Sequence, residues 1–148
     1  MKRGFLKYII ISLLLSITLY AKEYIYFLPA DAKKAKNHIE KLIKNSKSSI
    51  DIAMYNLGYK KFIKQLKKAK KKGVEVNIVY DKGADLRKLD ARKLKEKLHT
   101  KLAIFDKKTV VFGSANWTKA SFSENYEIIY ISDEENLVSK FNTFFKGL

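Results

Sequence analysis

His99 and Lys101 stand two residues apart in this 148-residue chain, Asp106 follows, and Gly113, Ser114 and Asn116 close the stretch 98–118, LHTKLAIFDKKTVVFGSANWT. An imidazole, an ammonium, a hydroxyl and a carboxamide held together suit a phosphodiester. They supply a nucleophile, a cation for the non-bridging oxygens and two neutral donors. The elements that must position them are legible nearby. Leu98 to Phe105 alternates as a strand does, so period 2 puts His99 and Lys101 on one face and Thr100, Leu102 and Ile104 on the other. Asp106-Lys107-Lys108 reads as a turn, and Thr109 to Phe112 is β-branched and aromatic enough to return as a second strand. Gly113 lets the backbone bend where that strand ends, so the hairpin gathers the four groups at one edge.

The rest of the chain reads as strands alternating with helices. Glu23 to Leu28 is a first strand stopped by Pro29, and Asp31 can cap a helix whose apolar side is Ala32, Ala35, Ile39, Leu42 and Ile43. His38 falls off that stripe and reads as a surface residue. SIDIAMY, residues 49–55, has little polar interruption, which suits a sheet covered on both faces. Phe62, Ile63, Leu66 and Ala69 mark a second helix ended by Gly73, and Val74 to Tyr80 is a third strand. That order predicts an α/β domain with parallel pairing.

Asp81 to Lys97 is almost wholly polar and reads as a loop, then a short helix across Leu89 to Leu98. It lies past the carboxyl end of a strand, where α/β proteins place their sites, so it either lines the site or merely connects. After the hairpin, Asn116 to Ser123 is a loop or short helical turn. Trp117 within it admits two readings, packing beneath the hairpin or stacking on a base. Tyr126 to Ser132 is the last strand. Asp133-Glu134-Glu135 then opens a final helix with Leu137, Val138, Phe141, Phe144 and Phe145 as its stripe.

Composition bounds the protein's class and address. Hydrophobic residues make up 47% and aromatic residues 13%, which excludes a disordered basic tail and supports one domain with a proper core. Residues 1–21 are separate: Lys2, Arg3 and Lys7 precede an apolar run from Tyr8 to Tyr20, and Ala21 is small. The run is short for a membrane span and right for a secretory signal, so residues 22–148 are expected as a single exported domain. If uncleaved, residues 5–21 would anchor the protein to a membrane. The expected address is the periplasm, the outer surface or the medium. With no cysteine in the chain, no disulfide supports the fold. Without the signal, 28 basic side chains face 15 acidic ones, a net charge of about +13. Such a field attracts polyanions, either nucleic acid or an anionic lipid surface.

His-x-Lys, four residues, Asp, six residues, Gly-Ser-x-Asn resembles the signature of the phospholipase D superfamily at every spacing. Chance occurrence of six fixed positions is on the order of one in 10^5 to 10^6. With SIDIAMY, the lysine-rich helix and KKGVEVNIVYD, the chain looks like the small single-motif, Nuc-like endonucleases of that superfamily. The resemblance implies an α/β, phospholipase D-like fold with a mixed, largely parallel sheet and helices on both faces. Because the motif occurs once, it also implies a homodimer with two copies of His99 and Lys101 in one shared site.

The family mechanism then assigns roles. His99 of one copy attacks phosphorus to form a phosphohistidine, and His99 of the other protonates the leaving oxygen and activates water. Lys101, Asn116 and Ser114 hold the phosphoryl oxygens, Glu127 orients His99, and Asp106 and Gly113 are structural. No metal or other cofactor is expected. Two departures from the pattern stand out. Only 17 residues separate Asp81 from His99, so an edge strand before the motif is expected to be missing, and Thr100 replaces a second histidine common in relatives.

Three functions are compatible with these residues. The leading one is an exported, metal-independent phosphodiesterase acting on DNA, and on RNA if it tolerates a 2′-hydroxyl. The second is a phospholipase D or cardiolipin-type enzyme, since His99 does not see what the phosphorus esterifies. The third is a non-enzymatic protein that captures DNA.

Overall fold

Seven strands of one sheet form from the alternating and apolar stretches in the computed structural model, which describes residues 20–148 except residue 84. The expected signal and anchor segment lies, but for its last two residues, outside the described residues. In chain order the elements are β1 (Glu23–Leu28), α1 (Ala32–Asn45), β2 (Ser49–Leu57), α2 (Lys60–Lys71), β3 (Glu75–Gly83) and β4 (Asp90–Arg92). They continue with β5 (Lys101–Phe105), β6 (Thr109–Gly113), α3 (Lys119–Ser123), β7 (Glu127–Ser132) and α4 (Glu135–Lys146). The sheet order is β1-β7-β6-β5-β2-β3-β4.

The α/β class and the helices on both faces are as expected, but the sheet is not largely parallel. Only β2–β3 and β3–β4 run parallel, while β1–β7, β7–β6, β6–β5 and β5–β2 are antiparallel. The connections account for part of this. A parallel neighbour needs a long crossover, which α2 supplies between β2 and β3, whereas the turn Asp106–Lys108 can only reverse the chain. The missing edge strand and the short helix are also corrected. β4 is that edge strand, three residues long, and no helix spans Leu89 to Leu98. Buried Leu86 and Leu89 pin the segment to the body, and Lys88 between them has φ +70°, which interrupts any helix.

Period 2 along the central strands divides the core. Ile50, Ile52, Met54, Ala103 and Phe105 face α1, α2 and α3, where Ile39, Ile43, Phe62, Leu66, Trp117 and Phe122 complete the larger cluster. Ala53, Val79, Leu102, Ile104 and Val110 face the other way, toward Leu98 and Val138 of α4. The final helix buries less than its stripe suggests, since only Val138 is fully covered and Phe144 stays 44% exposed.

The helix ends follow the sequence with one difference. Gly73 takes φ +90° just past α2, and the Glu134 carboxylate accepts from the Asn136 and Leu137 amides to cap α4. Asp31 stands at the N-cap of α1 but gives that helix no side-chain bond, accepting instead from Phe27 N–H at 3.2 Å. His38 is not a free surface residue. It is half-buried, its Nδ1 lies 2.9 Å from the Tyr26 hydroxyl, and Tyr24 stands edge-on to it.

Candidate active site

The start of β5 and the end of β6 meet beside the C-terminal end of β2, and His99, Lys101, Ser114 and Asn116 converge there. Lys101 is opposite Met54 in the β2–β5 register, and the Thr100 carbonyl accepts the Tyr55 amide at 2.8 Å. These pairings fix the backbone under His99, whose side chain is exposed. Its ring centre lies 4.9 Å from that of Tyr55. Lys101 is half-buried, and its Nζ donates to the His99 carbonyl at 2.8 Å while standing 3.4 Å from each ring nitrogen. Burial first, with the like charge of Lys97 adding to it, pushes the Lys101 ammonium below its ordinary value against the pull of Glu127 and Tyr55.

Gly113 is required by space as well as by conformation. Its φ is +153°, and a Cβ there would stand 2.1 Å from the Ile128 carbonyl oxygen. That close approach lets Ser114 grip β7 twice. Its amide donates to the Ile128 carbonyl and its hydroxyl oxygen accepts the Ile128 amide, each at 3.0 Å. The Ser114 hydroxyl proton is therefore left to donate elsewhere. Asn116 Oδ1 accepts the Asn56 amide at 3.1 Å, which fixes the amide orientation and leaves the Nδ2 hydrogens as donors. Four of the expected residues thus share one end of the sheet, as cation, imidazole and two donors.

Two of the other expected residues, Asp106 and Trp117, are engaged elsewhere. Asp106 lies at the opposite end of β5, where its carboxylate accepts the amides of Lys47, Ser48 and Ser49 and the Ser48 hydroxyl at 2.7–3.1 Å. Burial would raise this carboxyl, but the hydrogen bonds outweigh it and hold the group below its ordinary value. It is a joint between the β5–β6 turn and the start of β2. Glu127, on β7, accepts from Asn125 Nδ2 at 3.2 Å and exerts its field on Lys101; no hydrogen bond joins it to His99 among the described residues. Trp117 is 2% exposed and packs edge-on against Phe62, so of its two readings the structure has packing and not base stacking. Its carbonyl also accepts the Gly58 and Tyr59 amides at the entrance to α2.

Three neighbours of the site escaped the sequence reading. Tyr55 ends the run SIDIAMY, and the ammonium groups of Lys82, Lys97 and Lys101 lie 5.3, 5.8 and 5.3 Å from its ring centre. The available signal was position. Tyr55 and Lys82 end two parallel strands, and Lys97 precedes the motif by two residues. Among the described residues no group of three His, Asp or Glu side chains could hold a metal.

A hairpin of this kind, set against the end of β2, defines a phospholipase D-like protein of the phosphodiesterase or nuclease type. Residues 39–148 match the family described as cardiolipin synthase, PLD-like domain, and the chain belongs to that family. Among solved structures it is similar to Nuc from Salmonella typhimurium, described as a phospholipase D family member. That match has 25% identity and a TM-score of 0.75, over 86% of this chain and 93% of that one. NucT from Helicobacter pylori shares the fold at 24% identity and TM-score 0.76, over 86% of this chain and 95% of that one. Polyphosphate kinase from Porphyromonas gingivalis shares the fold alone, at 18% identity and TM-score 0.65, over 97% of this chain and 24% of the kinase. No curated protein matches the chain.

Proposed function

We propose that the protein is an exported, dimeric endonuclease that cleaves DNA or RNA through a phosphohistidine on His99, without a metal. The observation that carries this reading is the convergence of His99, Lys101, Ser114 and Asn116 at one end of the sheet. In the first step the unprotonated His99 nitrogen forms a bond to phosphorus, and the P–O bond to the leaving nucleoside breaks. His99 of a second copy gives its proton to that oxygen. The same imidazole then removes a proton from water, which attacks phosphorus and releases His99 and a phosphate monoester. Lys101, the Asn116 amide hydrogens and the Ser114 hydroxyl hold the non-bridging oxygens as charge builds on them. Glu127, through its field on Lys101, favours the charged form of that ammonium.

The need for a second copy comes from chemistry. One imidazole cannot be nucleophile and proton donor in the same step, and each chain has one histidine in the motif. An exposed apolar patch supports a face for that copy. Beyond the reach of α4, Ile25, Phe27 and Ile128 form a cross-strand apolar patch on β1 and β7, each about half exposed, and Tyr126 beside it is 92% exposed. Ile128 is the residue that Ser114 grips, so a copy packed on this patch would bring its own hairpin to the site. Export rests on the first 21 residues. Among the described residues no helix is long and apolar enough to cross a membrane.

His99→Ala should abolish cleavage of an oligonucleotide while leaving its binding within a few-fold, and the mass of quenched wild-type protein should show a phosphoryl adduct. Sedimentation of a fully active monomer would overturn the shared site. The family description gives weight to a second reading, a cardiolipin-type phospholipid hydrolase or transferase. Head-group release from phospholipid vesicles, with no cleavage of nucleic acid, would replace the first reading by that one.

A further inference from the structure

A scissile phosphodiester carries one negative charge, and Lys101 already stands over the imidazole to meet it. Two more ammonium groups converge beside it. Lys82, from the end of β3, and Lys97, from the connection before β5, both lie within 6 Å of the Tyr55 ring centre. Both side chains belong to exposed residues, and among the described residues neither pairs with a carboxylate. Some other lysines do pair, Lys67 with Asp85 and Lys70 with Asp90. Like charges gathered on one ring repel, and the attraction of an aromatic face for exposed ammonium groups is weak. An arrangement of this kind is relieved by an anion.

The imidazole of His99 lies against the same ring, so an anion held by Lys82 and Lys97 would sit beside the scissile phosphate and not on it. We propose that Lys82 and Lys97, carried around Tyr55, form a second subsite that takes the phosphate adjoining the scissile one in a polynucleotide strand. Successive phosphates of a strand follow at spacings of a few ångströms, so a group one nucleotide along is met within the reach of these side chains. The inference rests on reading the site as one that cleaves nucleic acid, and it specifies the substrate as a chain of phosphates rather than an isolated diester. It also gives residues 81–97 a task, that of lining the site.

The experiment compares two substrates on the full chain: a short fluorescent oligodeoxynucleotide and bis(p-nitrophenyl) phosphate, which has a single phosphorus. Lys82→Ala and Lys97→Ala should each lower kcat/KM for the oligonucleotide about tenfold, through KM, as expected for loss of one charged contact. Turnover of bis(p-nitrophenyl) phosphate should stay within about twofold, which also shows that the variants fold. Lys97→Arg should restore most of the oligonucleotide activity. Equal losses on both substrates would place these lysines at the reacting phosphate, and no loss on either would leave them a solvated fringe; each result overturns the subsite. Failure of the wild-type protein to cut any oligonucleotide, with head-group release from phosphatidylglycerol vesicles, would instead overturn the reading on which it rests.

Discussion

Asp106 offers the sharpest test of whether a motif residue serves the fold or the chemistry. Its carboxylate closes five hydrogen bonds, four of them from the amides of Lys47, Ser48 and Ser49, and so ties the β5–β6 turn to a segment about sixty residues earlier. A hydrogen bond to a charged acceptor contributes about 1.5–3 kcal/mol when buried. Here the group is half-exposed and freed amides would regain water, so Asp106→Ala should cost about 2–4 kcal/mol in all. Asp106→Asn keeps one acceptor and should cost about half as much. The sign with pH follows from the carboxyl being held below its ordinary value. Its contribution is complete above the unfolded value of about 3.9 and is lost as pH falls through the lower folded one. Urea unfolding followed by circular dichroism at neutral pH and near pH 3 would therefore show the gap between wild type and Asp106→Asn narrowing in acid. Per folded molecule, kcat should hold within a few-fold. A variant as stable as wild type but with kcat reduced a thousandfold would refute this account.

Three other substitutions probe the same frame. Gly113→Ala must move β6 away from Ile128 and break both Ser114 bonds, so a loss of about 2–5 kcal/mol in chemical denaturation should accompany a fall in kcat. Trp117→Ala removes a buried ring packed on Phe62 and should cost about 3–5 kcal/mol, with oligonucleotide affinity of the folded fraction unchanged in a fluorescence titration. Glu127→Gln removes a field that raises Lys101, so the ammonium would lose its proton at lower pH. The alkaline limb of the pH–rate profile should shift toward acid, and an unmoved limb would show that Glu127 does not act through Lys101.

The hairpin was legible because its signals are local. Alternation from Leu98 to Phe105, a three-residue turn and Gly113 together fix which groups share an edge, and the structure brings His99, Lys101, Ser114 and Asn116 there. Strand direction was not legible to the same degree. Strand-helix-strand order at the N-terminal half suggested a largely parallel sheet, but β5 enters between β2 and β6 and reverses the rest of the sheet. Nothing in the sequence near β5 specifies β2 as its neighbour. The polar run after Asp81 was misread for a related reason. Two buried leucines and one residue at positive φ decide its path, and neither burial nor φ shows in composition. Tyr55 was passed over because an aromatic that ends an apolar strand looks like core; only the arrival of three lysines from distant segments distinguishes it.

The excess of positive charge, uninformative as a total, becomes informative once it is placed. Along α2 and its surroundings, Lys61 contacts Glu40 at 2.8 Å, Lys70 contacts Asp90 at 2.8 Å and Lys67 contacts Asp85 at 3.4 Å. Exposed pairs of this kind add little stability, but they cancel charge locally. Around Tyr55 three ammonium groups approach one ring without an ion pair among the described residues, with Glu127 exerting its field on Lys101 and Asp81 on Lys82. The sheet thus collects at one end both the groups that can attack phosphorus and the charges that would draw a polyanion there, the first from adjacent residues of a hairpin and the second from β3 and the connection before β5. The motif alone identifies the chemistry. The lysines of the proposed second subsite, by contrast, are joined to the motif by no local pattern, and only the folded sheet brings them to its side.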